Sequence, residues 1–255
     1  MALTDQPLGG AGARAHAWYR GIHAEFCDVQ APWAHGTVLR ATRYPDYFDL
    51  NTVRVEDDAR MSADELAAFA DEEQADLAHR RIDFEHADTA EPLRPRFEEL
   101  GWIAERLVWM CLERAPPPQA DLVVEEVAYE DVYDLRVAWL REEFPEHDMR
   151  HYIAEAREAA ERREAQVLAV GEADVPVGFA QLEHHDGSAE ISQVYVHPNH
   201  RGRGLGTALT RAAIDAGAGA RDLWIVADDE GRPKQLYARL GFEPAWTAVQ
   251  VTRLP

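Results

Sequence analysis

From residue 122 onward, runs of alternating or continuous apolar residues are interleaved with stretches whose apolar residues recur every three or four positions. The first kind predicts strands and the second helices, because side chains alternate across a strand but return to one helix face every 3.6 residues. The resulting order is β-α-α-β-β-β-α-β-α-β. Residues 122–129 are rich in valine and predict a strand, and 131–143 place Val132, Leu135, Trp139 and Leu140 at helical spacing. Residues 149–163 are charged and alanine-rich, which predicts a solvated helix. A hairpin is expected from 166–170 and 175–183 through Gly171, Glu172, Ala173 and Asp174, and a strand over 190–196 after a turn at Asp186-Gly187. A glycine loop then opens a helix with Leu205, Ala208, Leu209, Ala212 and Ala216 on one face. A strand over 223–227, a helix over 234–240 and a strand over 242–252 complete the pattern.

Shifting the sequence against itself by 140 residues places Arg81 on Arg221, Asp88 on Asp228, Phe97 on Tyr237, Leu100-Gly101 on Leu240-Gly241 and Trp102 on Phe242. The alternating run 50–56 falls on 190–196, and a helical stretch over 63–78 on the helix after Gly204. No gap is needed, as expected of an internal repeat. Pro116-Pro117-Pro118-Gln119-Ala120-Asp121 can join neither a helix nor a central strand. The chain therefore divides into a leader plus first copy (1–115), a linker (116–121) and a second copy (122–255). Where the second copy has its glycine loop, the first has Ser62-Ala63-Asp64-Glu65. Ser62 and Glu65 form a capping box, and the acidic first turn would repel a phosphate.

Composition narrows the partners. A formal charge of −21 argues against nucleic acid, whose backbone requires a basic surface. All but one of the 26 basic residues are arginine, the exception being Lys234. No apolar stretch approaches the ~20 residues that span a bilayer, and the first twenty residues lack a signal-peptide core. Cys27 and Cys111 are the only cysteines, so no disulfide framework is expected. His184 and His185, adjacent on a strand, point to opposite faces and cannot share a metal. These features describe a soluble cytoplasmic protein without metal, membrane or nucleic-acid partner.

The chemistry concentrates in Arg201-Gly202-Arg203-Gly204-Leu205-Gly206, between a strand and a helix. Glycines at alternate positions let backbone amides converge on an anion at the positive end of the helix. A P-loop would require lysine after the last glycine, but Thr207 follows Gly206. A dinucleotide fingerprint would require a small residue where Leu209 stands. Arg201-x-x-Gly204-x-Gly206 following Val194-Tyr195-Val196-His197-Pro198 instead resembles the acetyl-CoA pyrophosphate loop of the GNAT N-acetyltransferase superfamily. Leu236-Tyr237-Ala238-Arg239-Leu240-Gly241-Phe242 resembles that family's closing helix and turn. The resemblance covers residues from about 122 to 252, and the first half resembles a degenerate copy, as in tandem GNAT proteins.

The resemblance implies an α/β (α+β) fold with a mixed central sheet flanked by helices, in two tandem copies. It implies acetyl-CoA bound where the strands 190–196 and 223–227 splay apart. Val194 and Val196 would hold the pantetheine arm, with the Val194 amide facing the developing oxyanion. Main-chain amides of Arg201, Gly202, Arg203, Gly204, Leu205, Gly206 and Thr207 would hold the diphosphate. Tyr237 matches the acid that protonates the leaving sulfur, and Glu190 a general base, with Glu183 the second candidate. Strand alternation would place Glu190, Ser192 and Val194 on one face. Where many members carry an asparagine that contacts CoA, this chain has Glu230, so no contact is carried over there. The expected acceptor is a small-molecule or peptide amine beside the acidic connection 142–148, which would suit a cation. A non-catalytic CoA-binding sensor or scaffold is the alternative. Two fused copies would form an internal pseudo-dimer within one chain.

Overall fold

A computed structural model describes residues 10–117, 122–172 and 175–255. Residues 118–121 of the expected linker and Ala173-Asp174 of the expected hairpin tip lie outside them. Helix α1 (Gly10–Phe26) precedes three antiparallel strands, β1 (Val29–Trp33), β2 (Gly36–Arg40) and β3 (Thr52–Val55). Then come α2 (Ala63–Glu73), β4 (Arg80–Phe84), the short helices α3 (Ala87–Ala90) and α4 (Arg94–Glu99), and β5 (Ile103–Leu112). The second half holds β6 (Glu125–Val127), α5 (Tyr133–Glu143), α6 (Arg150–Arg162), β7 (Gln166–Glu172), β8 (Val175–His185) and β9 (Ser188–Val196). It continues with α7 (Leu205–Ala216), β10 (Leu223–Asp228), α8 (Pro233–Arg239) and β11 (Phe242–Arg253).

Among the described residues all eleven strands form one mixed sheet, ordered β1-β2-β3-β4-β11-β5-β10-β9-β8-β7-β6. Two pairs are parallel, β3 with β4 and β9 with β10, each connected through a crossover helix, α2 or α7. From β3 to β5 the elements begin at residues 52, 63, 80, 94 and 103 (omitting α3), and from β9 to β11 at 188, 205, 223, 233 and 242. The same order thus recurs at an offset near 140 residues.

The last strand of each half is lodged in the other half's part of the sheet. β11 lies between β4 and β5, and β5 between β11 and β10. Val249 and Val251 of β11 pack with Leu66, Ile82 and Phe97 in the first half's core. Val108 and Met110 of β5 pack with Leu209 and Ile225 in the second half's core. Along the seam, Trp18 and Tyr19 of α1 pack with Trp109, Trp224 and Trp246. Burial of five large aromatic side chains here makes the junction a core, not a surface contact.

Local chemistry accounts for the element ends. Asp186 (φ 46°) and Gly187 (φ 73°) are both left-handed, as a two-residue hairpin turn requires. Helices α4 and α8 are followed by Gly101 (φ 80°) and Gly241 (φ 101°), and a Cβ on Gly241 would lie 2.1 Å from the Arg114 carbonyl oxygen. Only glycine fits that position.

Two expectations are corrected. The helix expected over 63–78 ends at Glu73. Helix α6 is not solvated all round: Tyr152, Ile153, Ala156, Ala159 and Ala160 form a buried stripe. Alanine dominates that stripe, so little apolar area signals burial while the charges stand on the opposite face. Helix α1 and strands β1 and β2 were not anticipated from the alternation.

Candidate active site

The parallel pair β9 and β10 holds together over only three residue pairs, Leu223 with Ala189, Trp224 with Glu190 and Ile225 with Ile191. Beyond Ile191 the two strands separate, while β9 remains paired with β8 as far as Val196. The main-chain groups of β9 on its β10 side therefore face a wedge with no strand in it. Val194 and Val196 lie along this stretch, half-buried against the core.

The glycine loop stands at the end of the wedge. Gly202 (φ 79°) and Gly204 (φ 82°) are left-handed, and Gly204 is the N-cap of α7 with no side-chain cap. Among the described residues, no protein acceptor meets the amides of residues 202–207; the Arg201 amide donates to the Pro198 carbonyl at 3.2 Å, and the Ala208 amide to Gly204. Consecutive free amides at a helix N-terminus form an anion cradle. The Arg201 guanidinium is engaged elsewhere, donating to the Val196 carbonyl at 2.8 Å and pairing with Glu142 at 2.9 Å. Arg203, half-exposed, pairs with Glu172 at 2.7 Å. The corresponding turn of the first half is closed: Ser62 Oγ accepts from the Glu65 amide at 3.3 Å, and Glu65 accepts from the Ser62 amide at 2.8 Å. Asp64 is held by Arg96.

The wedge opens on a cavity of about 440 Å³ between the two halves, lined by Glu183, Glu190, Ser192, Val194 and Tyr237 among others. Among the described residues the Glu190 carboxylate receives one hydrogen bond, from the Trp18 indole N–H at 2.6 Å. Desolvation in the cavity, reinforced by neighbouring Glu183, pushes Glu190 up to about 7, against the pull of the Trp18 donor. Such a carboxylate changes charge near neutrality. Glu183 is bound differently: it accepts from Gln181 at 2.7 Å and Ser192 at 2.8 Å and is paired with Arg163. Tyr237 is buried, and that burial raises its phenol above the usual range. Among the described residues its hydroxyl has no hydrogen-bond partner.

The expected alternation of Glu190, Ser192 and Val194 is interrupted. Gln181 faces Gln193 but Leu182 faces Ile191, so Ser192 is the extra residue of a bulge. All three still line the cavity. Several lining residues were missed in the sequence. Asp49, Glu105 and Asp228 add three carboxylates beside Glu143 of the expected acidic connection, while Trp18 bonds Glu190 from α1. Arg81, which lines the same cavity, is held by Asp83 at 3.0 Å and Asp49 at 3.2 Å. Burial lowers His23 to about 4, leaving it neutral in the cavity wall. Trp18, Tyr19, Ile22 and Phe26 at helical spacing were the signal for α1, though nothing in the spacing points to Glu190. Among the described residues no helix is long and apolar enough to cross a membrane, and no cluster of three metal-ligating side chains is present.

Residues 129–242 match the profile of the Acetyltransferase (GNAT) family. A mycothiol acetyltransferase of Nocardiopsis dassonvillei is 42% identical over 74 residues, 29% of this chain and 21% of that protein. An uncharacterized N-acetyltransferase of Methanocaldococcus jannaschii is 42% identical over 59 residues, 22% of this chain and 26% of that protein. The chain thus spans about a fifth to a quarter of the length of these curated relatives. Among solved structures, a functionally unknown conserved protein of Staphylococcus epidermidis superposes with a TM-score of 0.62 at 17% identity, covering 88% of this chain and 92% of that one. A GCN5-related N-acetyltransferase from Kribbella flavida superposes with a TM-score of 0.58 at 21% identity, covering 96% and 95%. These likenesses are of fold and extend over both halves. The splayed strands and the free amides of the glycine loop both lie within residues 129–242, the segment that matches the Acetyltransferase (GNAT) family.

Proposed function

We propose that this protein is an N-acetyltransferase that moves an acetyl group from acetyl-CoA to a primary amine by direct attack in a ternary complex. The observation that carries this reading is the run of free amides over residues 202–207 at one end of a wedge whose other end holds Glu190 and Tyr237. The amides of Gly202, Arg203, Gly204, Leu205, Gly206 and Thr207 would hold the diphosphate, with Arg201 shaping the loop through Val196 and Glu142. The exposed edge of β9 at Val194 and Val196 would hold the pantetheine arm. The first half reads as a degenerate copy that keeps the fold, closes its own anion site and supplies one wall of the cavity.

Glu190 suits the base better than Glu183. Glu183 is committed to Arg163, Gln181 and Ser192, whereas Glu190 has one donor and a proton affinity matched to neutral pH. Ionised Glu190 removes a proton from the ammonium, directly or through water, and the freed nitrogen attacks the thioester carbonyl. As the new C–N bond forms, the Val194 amide faces the developing oxyanion. The C–S bond then breaks as Tyr237 gives its phenolic proton to the departing thiolate; the acylated nitrogen loses its surplus proton through water to the tyrosinate, and Glu190 releases its proton to solvent.

The cavity favours a cationic acceptor. Asp49, Glu105, Glu143, Glu183, Glu190 and Asp228 line it, and its two arginines, Arg81 and Arg163, already face carboxylates. Thiol release from acetyl-CoA across an amine library tests both points. Polycationic amines should be turned over with the lowest KM, and that preference should weaken with salt. If acetyl-CoA binds but no amine releases thiol, the protein is a sensor. Tyr237→Phe should lower kcat by about 10- to 100-fold with little change in CoA affinity. Equal turnover would remove Tyr237 from its role.

A further inference from the structure

The first half does more than wall the cavity. We infer that Trp18, on the N-terminal helix of the half without an anion loop, is a positioning residue for Glu190, so that both halves build one catalytic centre. The inference rests on the proposed role of Glu190 as base. The Trp18 indole N–H is the sole hydrogen-bond donor to the Glu190 carboxylate among the described residues, at 2.6 Å. The ring is 5% exposed and has little freedom to leave. His185 meets it edge-on at 5.5 Å, and the Arg163 guanidinium lies over it at 5.6 Å.

Helix α1 is fastened along its length. Arg14 bonds Asp222 at 3.0 Å, at the start of the second half's β10. Tyr19 donates to Asp83 at 2.7 Å in the first half, and Glu25 meets His185 at 2.9 Å in the second. The indole is thus placed by contacts to both halves. A planar donor fixed at one carboxylate oxygen leaves the other oxygen free toward the cavity and selects one orientation of the group.

The remaining charged groups around Glu190 come from three other elements. Glu183 lies opposite it on β8, Arg163 follows α6, and Asp49 precedes β3. On β10 its neighbour is the neutral Trp224. Glu183 and Asp49 favour the protonated acid, Arg163 and the Trp18 donor the carboxylate. Removing the indole N–H removes a direct bond to the charged form, so Glu190 should hold its proton to higher pH.

The full-length chain with 15N-labelled tryptophan provides the test without any acceptor. The Trp18 indole N–H resonance, assigned through Trp18→Phe, should shift on titration between about pH 5 and about pH 9 with the midpoint of Glu190. Glu190→Gln should abolish that shift. A resonance that does not titrate, or that titrates equally in Glu190→Gln, would overturn the inference. In Trp18→Phe the Glu190 carboxyl, followed by 13C resonance, should titrate about one unit higher. The rising limb of thiol release with any accepted amine should move with it, and an unmoved midpoint would also overturn the inference. If the base assignment alone is wrong, the indole resonance still titrates while Glu190→Gln keeps full turnover. Should Trp18→Phe fold poorly, the comparison of the natural chain with Glu190→Gln decides.

Discussion

Glu190→Gln is expected to lower turnover by roughly 10²- to 10⁴-fold while making the protein more stable above neutral pH. Both effects have one origin. The cavity desolvates Glu190 and raises it from 4.5 to about 7. Between those values the folded chain holds a proton that the unfolded chain has released, so stability falls as pH rises through this window. The full penalty applies above about pH 7 and vanishes below about pH 4.5. A rise of about 2.5 units corresponds to at most about 3 kcal/mol. Glutamine keeps the shape and still accepts the Trp18 N–H, but it has no proton to lose. Melting curves of the two proteins should therefore nearly coincide at about pH 4 and diverge at about pH 8, with the variant melting higher. Equal melting temperatures at the higher pH would show that Glu190 ionises freely, and an ionised resting carboxylate would need another explanation for its setting.

The second large effect concerns the loop. Gly204→Asp should weaken acetyl-CoA binding by about 100-fold or more, with the fold retained. The position has φ 82° and caps α7. A non-glycine residue there costs about 1–2 kcal/mol, and aspartate tolerates it better than most. Its carboxylate would then accept from the amides that the diphosphate needs, and would add negative charge against it. The turn before α2 is closed in the same manner, since Ser62 and Glu65 occupy their own helix terminus. Calorimetric titration with CoA and a melting curve on the same sample separate lost binding from lost folding. Undiminished affinity would show that the diphosphate lies elsewhere.

Much of the second half was legible because its faces differ sharply in polarity. From 166 to 253 the strands and helices start within about two residues of where periodicity places them, and both closing motifs end in a glycine whose left-handed φ explains the residue. The capping box at Ser62 and Glu65 was legible for the same local reason. Two kinds of information were not. Short strands such as β1, four of whose five residues are exposed and which contains Pro32, carry almost no alternation. Periodicity also says which face of a strand is apolar, never which strand lies beside it. The places of β5 and β11 were therefore hidden, as was the meeting of Trp18 with Glu190 across 172 residues of chain. The bulge at Ser192 was invisible too, because an extra residue leaves the composition of β9 unchanged.

The crossed positions of β5 and β11 also dictate the order of assembly. During synthesis the first half cannot complete its sheet when its own residues have emerged, since the strand that belongs beside β4 follows ten others in the chain. Until then β4 offers an unpaired edge, and β5 must wait for β10. Such a chain completes its native pairing late, and a nascent chain arrested before residue 242 would leave both lobes unfinished.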